Sequence, residues 1–214
     1  MALFRDRAEA AAALIRLLPP EVGKDWLVLA LPRGGVPIAA ALARHLGATL
    51  DLMQVRKVGM PGDPELALAA VTGPGPDACV VNEGLRDSFG LTDADVARLA
   101  RPELDEIARR RKLWAAPGLP LAGRKVLIVD DGMATGATLR AALAAVRRQG
   151  AAQIGVALPV ALGRSLRRLP ADVGPVICPC PEADLGGIGA AYDAFPQVAD
   201  SEVARFLTGA APQP

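Results

Sequence analysis

The sequence predicts an α/β fold, a mostly parallel sheet flanked by helices. Three observations carry this reading. Short, uninterrupted apolar runs of strand length recur along the chain, as in "WLVLA" and "KVLIV", and such runs suit strands covered on both faces. Helical patterns separate them, so the strands are joined by crossovers. Glycine-rich turns follow several of the runs, where ligands gather in such sheets.

In chain order, residues 5–18 read as an alanine- and leucine-rich helix that Pro19 and Pro20 stop. Residues 26–30 read as a strand, "LPRGG" (31–35) as a turn, 36–46 as a helix and 50–55 as the next strand. Residues 56–64, "RKVGMPGDP", are dense in glycine and proline and read as a loop. Short apolar runs follow at 66–71 and 78–81. Residues 91–114 read as one long polar-faced helix, with Thr92 as N-cap, Asp93 and Asp95 in its first turn, and prolines after it. The clearest buried strand is 124–130. A helix over 139–149 follows, with Gly150 at its end. Strands are expected at 154–160 and 173–178, an irregular tail at 179–197, and a short helix near 202–207.

Composition narrows the function. The 214 residues suit one medium domain, or one with an appended lobe, and 51% hydrophobic residues supply a sizeable core. A net charge of +1 gives no bulk electrostatic drive toward nucleic acid or an anionic membrane, so a nucleic-acid partner is not expected. Aromatics at 3% leave few platforms on which single-stranded bases could stack. The charged start "MALFRDRAEA" lacks the apolar core of a secretory signal, and no uncharged run is long enough to span a bilayer. Three cysteines, Cys79, Cys178 and Cys180, make no disulfide framework and no zinc spacing. The expected location is cytoplasmic. His45 has no partner motif and is assigned no function.

The segment "VDDGMATGAT" (129–138) carries the chemistry. Ala134, Thr135, Gly136, Ala137 and Thr138 lie between a strand and a helix, where unpaired backbone N–H groups and two hydroxyls suit a phosphate. No lysine follows Gly136, so this is not a P-loop, and no Gly-x-Gly-x-x-Gly dinucleotide fingerprint is present. Asp130 and Asp131 end the strand and can accept hydrogen bonds from sugar hydroxyls; alternatively they cap the turn. A ligand with a phosphate and a nearby diol, such as a ribose 5-phosphate, satisfies the whole pattern. "LPRGG" forms a second anion site, with exposed N–H groups and the Arg33 fork, or else a tight turn with a surface arginine.

"VDDGMATGAT" resembles the phosphoribosyl-pyrophosphate (PRPP) motif of type I phosphoribosyltransferases. "FRDR", "LPRGGVPIA", "VRKVGMPGDPELA" and "YDAFPQVAD" extend the resemblance over nearly the whole chain, to a group of bacterial phosphoribosyltransferase-like proteins of unassigned substrate. It implies one domain over residues 1–214, with a core at about 24–178 and a small hood from both terminal segments. It implies PRPP-dependent transfer to a nitrogen acceptor, a nucleobase, with release of pyrophosphate; the alternative is a PRPP- or nucleotide-sensing protein with little turnover. The implied cofactor is Mg²⁺, held through PRPP and by Asp130 and Asp131, and the implied assembly is a homodimer. By the same resemblance the 5-phosphate belongs at 134–138 and pyrophosphate at Arg33 and Gly34, a loop that often carries a non-proline cis peptide. Lys57 stands in a loop that closes over PRPP in the family, or is simply mobile. Tyr192 and Phe195 belong to the hood and either stack a base or pack its core. Hypoxanthine-guanine relatives have an aspartate where this chain has Ala134, so the acid or base lies elsewhere. Glu65 is the candidate, or a solvated glutamate at a helix start.

Overall fold

Asp6 starts the first helix by accepting the Glu9 N–H with its side chain, and α1 runs Arg7–Arg16. The structure is a computed structural model that describes residues 2–72 and 79–209, apart from the side chains of Pro64 and Glu65. Strand β1 (Trp26–Ala30) is buried at all five positions, as its apolar run requires. Helix α2 (Val36–Leu46) returns the chain, Gly47 ends it in a left-handed conformation, and β2 (Thr49–Leu52) pairs parallel to β1.

The next segment departs from the sequence reading. Residues 56–64 are not a loop but most of a hairpin, β3 (Arg56–Met60) and β4 (Asp63–Val71), joined by Pro61-Gly62. Gly62 takes a φ of 85°, which supplies the turn. β5 (Cys79–Val81) adds a third antiparallel strand. Val58, Ala69 and Val71 of this small sheet pack on Ala100 and Ile107. Glu65 therefore begins no helix; it belongs to β4. A short helix α3 (Glu83–Ser88), which buries no residue, precedes α4 (Asp93–Trp114). Thr92 caps α4 in a reciprocal box with Asp95, at the expected place.

Strand β6 (Lys125–Val129) pairs parallel to β1, and α5 (Ala137–Arg148) follows it. The expected strand at 154–160 divides at Leu158-Pro159 into β7 (Gln153–Ala157) and β8 (Val160–Leu162). β9 (Val176–Ile177) pairs with β7 and is shorter than expected. The tail is less irregular than its sequence implies. β10 (Cys180–Ala183) pairs with β8, a 3₁₀ turn covers Ile188–Ala191, and α6 (Asp200–Gly209) closes the described chain.

The main sheet has the order β2-β1-β6-β7-β9 and is parallel throughout. Alternate strand residues feed two cores. Val28, Ala30, Leu127 and Val129 face α1 and α2, whereas Leu27, Leu29, Val126 and Ile128 face α5. Each fully buried aliphatic side chain contributes roughly 1.5–3 kcal/mol. The chain leaves β1 toward β2 on one side and returns at β6 on the other. That reversal makes the carboxyl ends of β1 and β6 the switch point, where such sheets open a crevice.

The two ends of the chain meet above this crevice. Phe4 bridges Tyr192, and the N–H groups of Asp193 and Ala194 donate to the carbonyls of Phe4 and Arg5. No helix among the described residues is long and apolar enough to cross a membrane.

Candidate active site at the switch point

Two turns leave adjacent strands and face each other. From β1 comes Leu31-Pro32-Arg33-Gly34-Gly35, whose Pro32–Arg33 peptide is cis. Leu31 N–H donates to the Val129 carbonyl, and Gly35 N–H to the Leu31 carbonyl. From β6 comes residues 130–138. A methyl group added at Gly34 would fall 1.9 Å from Asp131 Oδ2, and one at Gly35 would fall 2.6 Å from the Val129 carbonyl oxygen. No side chain fits in either place, so the two glycines let the turns touch. The N–H groups of Arg33 and Gly34 meet no protein acceptor among the described residues.

The second turn wraps an open cavity of about 190 Å³, lined by Asp130, Gly132, residues 133–139 and Ile188. Gly136, with a φ of 77°, turns the chain into α5 without a side-chain cap. Ala137 N–H donates to Thr135 Oγ1. Among the described residues, the N–H groups of Ala134, Thr135, Gly136, Thr138 and Leu139 find no protein acceptor. Five donors at a helix start, with two exposed threonines, form an anion cradle. Arg140, which the sequence reading passed over, reaches back to the Thr135 carbonyl at 2.8 Å and adds positive charge at the rim.

Asp130 and Asp131 lie at the junction of the turns, in different settings. Asp130 Oδ1 accepts the Asp131 N–H at 2.8 Å, and among the described residues no N–H donor reaches its Oδ2. Burial pushes the Asp130 carboxyl well above the usual carboxylate range, and the charge of Asp131 adds to the rise. Asp131 Oδ2 accepts both Nε and Nη2 of Arg7, at 3.2 and 2.9 Å, and among the described residues no N–H donor reaches Oδ1. Among the described residues neither Asp130 Oδ2 nor Asp131 Oδ1 meets an N–H donor, and the two carboxyls hydrogen-bond each other. The Asp131 backbone is pinned as well, because Tyr192 Oη donates to its carbonyl at 2.6 Å.

Other candidates from the sequence are spread around this centre. The Arg33 guanidinium points to α6, where Nη1 lies 3.6 Å from Asp200 Oδ1; Asp200 also accepts from Trp114 Nε1. Lys57 is on β3, not in a loop. It shares with Ala137 and Thr138 a second, mostly apolar cavity of about 370 Å³ between the small sheet and α5. The side chain of Glu65 lies outside the described residues. Tyr192 is only 5% exposed and packs between Phe4 and Phe195, its ring centroid 5.7 and 4.8 Å from theirs. A ring so covered has no face for a ligand, so Tyr192 follows the packing alternative, not base stacking. Phe195 carries the Arg7 guanidinium 3.9 Å above its ring. Among the described residues, no group of three or more carboxylates, histidines or cysteines could hold a metal ion by itself.

Arg7 is the main residue that sequence reasoning missed. It stands within "FRDR", but nothing local in that stretch ties it to an acid more than a hundred residues away. Ile188 was also missed; a methyl on Gly132 would fall 2.6 Å from its Cγ2, so the C-terminal segment closes directly onto the second turn.

The chain is similar to known proteins. Residues 2–194 match the family model for the phosphoribosyl transferase domain. A protein of Mycobacterium tuberculosis provisionally named a phosphoribosyl transferase is 38% identical over 210 residues, 97% of this chain and 47% of its own length. The chain therefore spans about half the length of that relative. An adenine phosphoribosyltransferase of Mycobacterium marinum is 31% identical over 160 residues, covering 75% of this chain and 67% of that protein. The crystal structure of TT1426 from Thermus thermophilus superimposes with a TM-score of 0.83 at 37% identity, over 99% of this chain and 100% of that one. With the paired turns of its switch point and a match over nearly its whole length, the chain belongs to the phosphoribosyl transferase domain family.

Proposed function

We propose that the protein transfers the phosphoribosyl group of PRPP to a nitrogen acceptor, a nucleobase, and releases pyrophosphate. One observation carries this reading: an anion cradle at 134–138 adjoins two acids, Asp130 and Asp131, that each keep one oxygen clear of N–H donors among the described residues. The cradle takes the 5-phosphate. Asp130 Oδ2 and Asp131 Oδ1 accept the ribose hydroxyls. The free N–H groups of Arg33 and Gly34, beside Asp131, receive the pyrophosphate. We read the meeting of the chain ends above the crevice as the hood.

In the reaction, the acceptor nitrogen forms a bond to C1 as the C1–oxygen bond to pyrophosphate breaks, and the bonding electrons leave with pyrophosphate. Positive charge grows on the sugar ring meanwhile. A fixed carboxylate beside the ring stabilises that charge without reorganising at the moment of reaction. Excluding water matters too, because a ribosyl cation open to solvent hydrolyses. Lys57, beside the second cavity, is suited to contact pyrophosphate from the hairpin side. The proton on the acceptor nitrogen needs a base, for which Glu65 remains our candidate; unchanged turnover in Glu65→Gln would remove it.

The residues present fit Mg²⁺ only with help from the ligand. Asp130 and Asp131 offer hard oxygen donors, but too few for a cage, so a Mg²⁺ would be held mainly by the pyrophosphate oxygens. Bound there, it supplies neutralisation of the charge on the leaving group.

The test is a panel of purine and pyrimidine bases with PRPP and Mg²⁺, scored by pyrophosphate release. One base that drives release well above the no-acceptor rate supports the reading. Tight PRPP binding with no release for any base would favour a sensor.

A further inference from the structure

The ion pair between Arg7 and Asp131 is built more heavily than a surface contact. Both side chains are largely buried, 10% and 15% exposed. All three guanidinium nitrogens are committed: Nε and Nη2 to Asp131 Oδ2, and Nη1 to the Pro196 carbonyl at 2.8 Å. The plane lies over Phe195, and Phe195 stacks on Tyr192, whose hydroxyl holds the Asp131 carbonyl. Two donors on a single oxygen hold Oδ2 in place, and the planar guanidinium delivers them from one fixed direction. The consequence is directional. Oδ2 takes both Arg7 donors, and Oδ1 is the oxygen that meets no N–H donor among the described residues.

We propose that Arg7 is a positioning residue for sugar recognition: with Pro196 and Phe195 it orients Asp131 so that Oδ1 meets the ribose 2-hydroxyl. This rests on the reading of the site as a ribose 5-phosphate pocket. It assigns sugar specificity to a residue of the N-terminal helix held by the C-terminal segment, and so makes both ends of the chain part of the site. Arg7 touches no substrate and takes no part in bond making. Its effect is confined to the hydroxyl side of the ligand, because the cradle at 134–138 is built from backbone donors that Arg7 does not contact.

Calorimetric binding of ribose 5-phosphate and 2-deoxyribose 5-phosphate tests this without relying on turnover. The native protein should prefer the ribose form by about tenfold, the worth of one hydrogen bond to a charged acceptor. Arg7→Gln should lower ribose 5-phosphate affinity to the 2-deoxy level and leave 2-deoxyribose 5-phosphate unchanged. Asp131→Asn should do the same, and the double variant should add nothing further. Arg7→Lys, which keeps the charge but not the fork, should recover only part of the preference. A thermal melt of each variant separates misfolding from lost recognition, and Arg7→Lys stands in if Arg7→Gln does not fold. If native protein prefers ribose and an Arg7 variant keeps the full preference, the assignment of Arg7 is wrong. If native protein binds neither sugar phosphate or makes no distinction, the ribose 5-phosphate reading itself fails.

Discussion

The two turns at the switch point begin alike and end differently. Each leaves a buried parallel strand, contains glycine where another segment of the chain presses close, and opens a helix with N–H groups unspent among the described residues. The turn after β6 is ready for an anion, with five free N–H groups around a cavity and two exposed threonines. The turn after β1 is not. Its arginine is drawn 3.6 Å from Asp200, away from the crevice. The difference teaches that the site has one preformed grip and one that must be completed. The cradle at 134–138 is built from backbone donors, which cannot swing away as a side chain can. In the first turn the backbone N–H groups of Arg33 and Gly34 are open, but the Arg33 side chain has a competing partner in Asp200; if this turn holds pyrophosphate, as we propose, it is the half where binding has to rearrange something.

This contrast can be broken at its centre first. Replacing Asp130 and Asp131 together by Asn should reduce turnover by about a hundredfold or more, the scale of a lost electrostatic stabiliser. Inorganic phosphate binding at the cradle should persist, since the N–H donors are untouched. Full turnover in that variant would remove the two acids from the mechanism.

Gly34→Ala should come next, and it attacks the contact between the turns. Its methyl cannot occupy a point 1.9 Å from a carboxylate oxygen, so Asp131 must leave its pair with Arg7 or the first turn must move. A loss of roughly tenfold in PRPP affinity is expected, on the scale of 1–2 kcal/mol for a displaced buried contact. Steady-state kinetics at varied PRPP would read it. An unchanged KM would mean that the turns need not touch.

The smallest effect should sharpen the comparison. Asp200→Asn removes the charge that holds Arg33 while keeping an oxygen for the Trp114 Nε1–H. The pair is partly exposed, so stability should change by less than about 1 kcal/mol. Pyrophosphate, used as a product inhibitor, should bind about two- to threefold tighter, since Arg33 no longer has to leave a partner. Weaker binding would indicate that Arg33 serves the hood and not the pyrophosphate.

Much of this architecture is legible in the sequence because its signals are local. β1 is an uninterrupted apolar run and β6 is one after Lys125, and Thr92 with Asp95 is a capping pattern that the structure forms as written. The ten residues from Val129 to Thr138 fall at the end of a buried strand and open a helix, as their order implies. The hairpin at β3 and β4 was hidden by its own composition. Glycine and proline density reads as a loop, yet Val58 and Met60 are buried two residues apart, a strand period too short to stand out. Helix α3 escaped because it buries nothing and so leaves no apolar stripe. The setting of Asp131 lay further out of reach. Arg7, Tyr192 and Phe195 carry no mark of the acid they surround, and only the meeting of the two chain ends brings them to it.

The most direct measurement is a crystal structure with PRPP and Mg²⁺ bound. The account predicts the 5-phosphate on the N–H groups of residues 134–139, the ribose hydroxyls on Asp130 Oδ2 and Asp131 Oδ1, and pyrophosphate beside Gly34. A 5-phosphate bound away from that cradle, or a ribose that leaves both open carboxylate oxygens to solvent, would contradict it.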